Sequence, residues 1–143
     1  MNILKNLSKN INVEVADKPS SELIIEEMLT KTPIKLPDEF IEIIREKSEI
    51  EISINEDKIL RIWGASGCIE MNDAYNIQKY LPFSWAIGDD EGGYAIVYAK
   101  GEKGIGVYVV SLSDLDDNEK IFISPSLSDF LTKGIGIDAF LHF

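Results

Sequence analysis

The sequence predicts an α+β domain in which a central, mostly antiparallel sheet is flanked by helices. Three observations predict it. Leu81 to Ala99 holds two apolar runs, Phe83 to Ile87 and Tyr94 to Tyr98, on either side of Gly88-Asp89-Asp90-Glu91-Gly92-Gly93. β-Branched and aromatic residues suit strands, and glycine with aspartate suits the turn between them, so the stretch reads as a central hairpin. Ile50, Ile52 and Ile54 alternate with Glu51 and Ser53, the period of a strand with one wet face. Serine or proline opens apolar stretches of helical spacing at three places, as helix starts do. The hairpin runs are apolar at nearly every position, so both faces of the sheet are expected to be covered, by helices from either end of the chain.

In chain order, Ile3, Leu4 and Leu7 share one side of a short helix, and Ile11, Val13 and Val15 alternate as a strand. Lys18-Pro19-Ser20-Ser21 interrupts the pattern. Ser20 or Ser21 caps the next helix, Glu22 suits the positive end of its dipole, and Ile25, Met28 and Leu29 form its buried stripe. Thr32-Pro33 ends it, because proline pushes the preceding residue out of the helical region. Leu36-Pro37-Asp38-Glu39 opens a second helix that buries Phe40, Ile43 and Ile44.

After the strand of alternating isoleucines, Asn55-Glu56-Asp57 turns into Ile59 to Trp63, which Gly64 to Gly67 closes. Ala74, Ile77 and Tyr80 suggest a short helix from Asn72 to Tyr80. Beyond the hairpin, Lys100 to Gly104 is a turn into a strand through Val107, Val109 and Val110, and Asp114 to Lys120 is a charged loop before a strand from Ile121 to Ile123. Ser124-Pro125 is read as the start of the last helix, with Leu127, Phe130 and Leu131 buried, Lys133 near its negative end, and Gly134 as its left-handed stop.

Composition bounds the class. At 143 residues and 45% hydrophobic, the chain is read as one domain, 1–143, with enough apolar surface for a core. Its formal net charge of -11 repels nucleic acid and anionic membranes and speeds encounter with a basic protein partner. Cys68 is the only cysteine, which excludes an internal disulfide and suits a thiol-reducing compartment. Asn6, Ser8 and Asn10 interrupt any apolar run near the start, so no secretory h-region is read there and the protein is placed in the cytoplasm.

Chemistry finds little footing. Asp114-Leu115-Asp116-Asp117-Asn118 has the alternating oxygens of a calcium loop, but Glu119 replaces the glycine of the sharp bend and Pro125 the closing bidentate glutamate. Three acids in Gly88 to Gly93 repel phosphate. His142, the only histidine, sits one residue from the end of the sequence, and Cys68 lacks a basic neighbour in the sequence. Adjacent carboxylates on an exposed turn are expected to point apart and stay solvated. The reading therefore assigns no catalytic residue, no metal ligand and no cofactor. Aromatic residues beside acids do describe a binding surface. Trp63, Tyr75 and Tyr94 are candidate contacts, with the acids Asp89, Asp90 and Glu91 of one loop and Asp114, Asp116 and Asp117 of another.

Three motifs in a fixed order carry a resemblance. Leu36-Pro37-Asp38-Glu39-Phe40, Ile87-Gly88-Asp89-Asp90-Glu91-Gly92-Gly93 and Ser126-Leu127-Ser128-Asp129-Phe130-Leu131 resemble the helix start, central turn and closing helix of the SMI1/KNR4 family, also called the SUKH superfamily. The likeness covers roughly Ser20 to Gly134. Lys47-Ser48-Glu49 stands where many members have an Asn-Gly turn, and Tyr94 where an acid is common. The resemblance implies an antiparallel α+β domain and, in bacteria, a frequent role as an immunity protein that binds and neutralises a toxin domain, often a nuclease. Fungal relatives act in regulation. The expectation is a non-enzymatic binding module for a basic toxin domain. A regulatory scaffold of the same fold, or a small hydrolase using the central carboxylates, are the alternatives.

Overall fold

The computed structural model describes residues 2–143. Among them, seven strands lie in one sheet in chain order: β1 (Ile11–Asp17), β2 (Ser48–Ile54), β3 (Lys58–Ile62), β4 (Ser84–Asp89), β5 (Tyr94–Gly101), β6 (Gly104–Ser111) and β7 (Ile121–Ser124). Every neighbouring pair is antiparallel. The predicted hairpin, β4–β5, sits in the middle, and its residues Trp85, Ala86, Ile87 and Ala95 through Ala99 are buried on both faces. The helices are α1 (Glu22–Lys31), α2 (Asp38–Glu46), α3 (Ala65–Ala74), α4 (Ile77–Tyr80), α5 (Leu127–Lys133) and α6 (Ile137–Phe140).

Helix starts follow the expected chemistry. The Ser21 hydroxyl accepts from the Ile24 N–H at 3.3 Å, and Thr32 ends α1. The N–H groups that open α5 are satisfied twice. Ser126 accepts from Asp129, while Glu39 of α2 accepts from Leu127 at 2.8 Å and Ser128 at 3.0 Å. Glu39 also accepts the Tyr98 hydroxyl at 2.7 Å, beside the Phe40–Tyr98 edge-to-face pair. Burial, then the Glu39 charge, pushes the Tyr98 phenol well above its ordinary pKa, so it stays a donor. One carboxylate thus ties α2, α5 and β5 together.

Helix α3 closes an edge that β3 leaves open. β3 pairs with β4 only at Arg61↔Asp89 and Ile62↔Gly88, after which the Trp63 N–H reaches the Ile87 carbonyl. Gly88 is required at this approach, since a Cβ there would overlap the Arg61 carbonyl. Beyond it, buried Asn72 accepts from the Ala86 N–H at 2.9 Å and donates to the Ala86 carbonyl at 2.8 Å. A side-chain amide presents the same donor and acceptor as a peptide group, so Asn72 substitutes for the missing strand.

Several expectations are corrected. The first helix is only a 3-10 turn, Ile3–Lys5. Gly64 to Gly67 does not merely close β3: Gly64 precedes α3, whose first N–H groups are capped from afar by Ser20, accepting from Ala65, and by Glu49, accepting from Gly64. The stretch Asn72 to Tyr80 is two helices, broken at Asn76, which is left-handed at φ 51. The last helix is capped by Ser126, two residues later than Ser124. Leu29, Val13 and Val15 are exposed, because α1 buries only Ile25 and Met28 and β1 is an edge strand. Among the described residues, no helix is long and apolar enough to cross a membrane.

Candidate functional site

In an antiparallel sheet followed in chain order, alternate connections lie at the same end. The β2–β3 turn (55–57), the β4–β5 turn (90–93) and the β6–β7 loop (112–120) therefore share one end. That end is acidic, with exposed Glu56, Asp57, Glu91, Asp114, Asp116, Asp117 and Glu119. It brings together the two loops singled out in the sequence and adds Glu56, Asp57 and Glu119. Their signal was topological: the 55–57 turn was legible, but its place beside the others depends on strand order.

The acids of the central turn are engaged internally, which corrects the expectation that they stay solvated. Asp89 accepts from the Trp63 indole N–H at 2.9 Å and from the Glu91 N–H at 2.8 Å. Asp90 is buried: one oxygen accepts from Gly92 at 2.8 Å and Tyr94 at 3.0 Å, the other pairs with Lys58 at 3.2 Å. These bonds close the turn, with Glu91 and Gly93 at positive φ. Glu91 faces outward and pairs with Arg61 at 2.6 Å, and Arg61 also meets Glu51 at 3.2 Å. Partial burial and the neighbouring Glu51 raise the Glu91 pKa above its ordinary value, against the lowering pull of Arg61.

Trp63 and Asp90 are therefore not exposed contacts. Trp63 is 3% exposed, because its indole is drawn inward to hold Asp89. Tyr75 is 39% exposed and borders an open depression with Gly92, Gly93 and Tyr94. Tyr94 is half-buried and packs against Phe143 with ring centroids 5.2 Å apart.

The β6–β7 loop differs. Asp116 accepts from the Asn118 N–H at 2.9 Å and Asp117 pairs with Lys120 at 3.0 Å. Among the described residues, Asp114, Asp116 and Glu119 have no ion-pair partner. Lys58 fastens the last residues to this end: it donates to the Phe143 carbonyl oxygen at 2.8 Å and lies 5.0 Å from the Phe140 ring centroid.

Cys68 is buried, and burial, then Glu49, raises its thiol pKa well above the ordinary value. Such a thiol is a packing residue and not a ready nucleophile. Among the described residues, no three His, Cys, Asp or Glu side chains gather where they would hold a metal ion.

Fold and surface define a class: a small acidic α+β domain, built on one antiparallel sheet, with carboxylates unpaired among the described residues on the β6–β7 loop and on its helices alike. The SMI1/KNR4 family (SUKH-1) matches residues 19–133, most of the chain, and this protein belongs to that family. None of the curated proteins matches it.

Proposed function

We propose that this protein is a cytoplasmic, non-enzymatic immunity protein that neutralises a basic toxin domain, a nuclease by the family's habit, by covering it with the acidic end of the sheet. The observation that supports this most is the set of carboxylates on the β6–β7 loop that no cation of the described chain neutralises. They stand beside Tyr75 and Tyr94, whose rings offer rigid contact area. Asp114, Asp116 and Glu119, unpaired among the described residues, and Asp117 and Glu91, each paired with one cation, are the charged contacts of this reading, with Tyr75 and Tyr94 beside them.

Engagement of the central carboxylates speaks against a hydrolase. Asp89 and Asp90 are held by Trp63, Lys58 and backbone N–H groups, and outward-facing Glu91 is paired with Arg61, so no pair of these carboxylates is left free for acid–base work. Family membership favours a protein partner. The deciding experiment is co-expression with a toxin encoded beside this gene. Wild-type protein restores growth, and Asp114→Asn/Asp116→Asn/Asp117→Asn protein, though folded, restores it poorly. The complex also weakens as salt rises, since exposed charges attract only within the screening length. Failure to bind any such toxin, or binding indifferent to both salt and these substitutions, would overturn the proposal.

A further inference from the structure

We infer that the cleft bordered by the packed Tyr94–Phe143 ring pair and the β6–β7 loop seats one arginine side chain of the protein partner, and that Phe143, beyond the family-matched stretch, helps to line this seat. The inference rests on the acidic end being the binding surface. The cleft has a volume of about 170 Å³. Val109 lies at its apolar side, the Tyr94 and Phe143 rings meet at 55°, and Asp114, Asp116 and Glu119 line its rim.

This combination selects among cations. A guanidinium is planar and weakly hydrated, stacks on aromatic faces, and hydrogen-bonds carboxylates in pairs, whereas an ammonium is a compact, strongly hydrated point charge. The protein's own cations nearby are committed elsewhere. Lys58 holds Asp90 and the Phe143 carbonyl, and Lys120 holds Asp117 and lies 5.6 Å from the Tyr108 ring centroid. The rim carboxylates are left for an outside charge.

Phe143 lies beyond the family match, which ends at residue 133. It is also held in place. Gly136 packs its backbone against the Ile123 carbonyl, and Lys58 fixes the Phe143 oxygen while sitting beside Phe140. A wall fixed in advance loses little freedom when a side chain enters. The seat thereby depends in part on Phe143.

The test is a titration of the isotope-labelled full chain with N-acetyl-argininamide, with N-acetyl-citrullinamide as its neutral isostere and N-acetyl-lysinamide as the competing cation. Saturable shifts at Tyr94, Ser111, Asp114 and Phe143 are expected with the arginine probe, weaker ones with lysine and none with citrulline. Phe143→Ala should weaken the arginine probe roughly two- to five-fold, the value of one aromatic–cation contact. Asp114→Asn, at an exposed position, should weaken it while leaving the rest of the spectrum unchanged. Equal shifts with citrulline, shifts centred elsewhere, or indifference to both substitutions would overturn the seat. If the toxin complex forms yet ignores Phe143→Ala, this inference fails alone. If arginine enters the cleft while no toxin binds, the proposed function fails and the seat stands.

Discussion

Two acidic loops stand at the same end of the sheet, and they use their carboxylates in opposite directions. In the β4–β5 turn, Asp89 and Asp90 point inward, onto Trp63, Lys58 and the turn's own N–H groups. In the β6–β7 loop, Asp114, Asp116 and Glu119 point at nothing cationic among the described residues. The first loop has rigid neighbours on both sides, β3 and the segment around Phe143, so its charges are matched within the fold. The second joins β6 to β7, the edge strand, beyond which the sheet has no further strand among the described residues. Similar composition therefore serves folding in one place and leaves charge unpaired in the other.

The largest effect should come from Asp90. Asp90→Ala strands the Lys58 ammonium, whose side chain is only 11% exposed, and frees two N–H groups in the turn. Removing one partner of a buried ion pair costs about 3–5 kcal/mol, and urea denaturation should show a loss of that order. A loss no larger than a surface change would break the contrast between the loops. Trp63→Phe comes next. It keeps an aromatic ring but removes the donor to Asp89, and should cost about 1–2 kcal/mol, read in the same way.

Asp114→Asn should be nearly silent for stability, within about 0.5 kcal/mol, while weakening partner binding and its salt dependence. The smallest effect concerns Glu91. Its folded pKa is raised above the unfolded value, so the contribution is full below the ordinary carboxylate range and is lost as pH rises through the raised value. Glu91→Gln should flatten the stability profile in that window just above about pH 4.3, the ordinary glutamate pKa. A profile parallel to wild type would show that the Glu91 carboxyl feels no more than solvent.

What could be read in advance follows from the range of the interactions involved. Ser21 and Ser126 cap their own helices, and the isoleucines of β2 alternate within one strand, so these features were legible or missed by two residues. The start of α3 was not, because its caps come from Ser20 and Glu49, far away in the chain. Asn72 looked like a helix start and instead completes β4, a role visible only once β3 is seen to leave the sheet early. The candidate surface was half legible for the same reason. The acids of both loops were named, yet nothing local to Asp89 or Asp90 announces that Trp63 and Lys58 reach them. Phe143 was read only as the neighbour of His142, since its contact with Tyr94 crosses half the sheet's sequence.

One side-by-side measurement tests the division between the loops most directly: urea unfolding of Asp89→Asn/Asp90→Asn/Glu91→Gln protein against Asp114→Asn/Asp116→Asn/Asp117→Asn protein. The account predicts a midpoint far below wild type for the first and nearly unchanged for the second. Equal losses, or a stable first variant beside an unstable second, would contradict it.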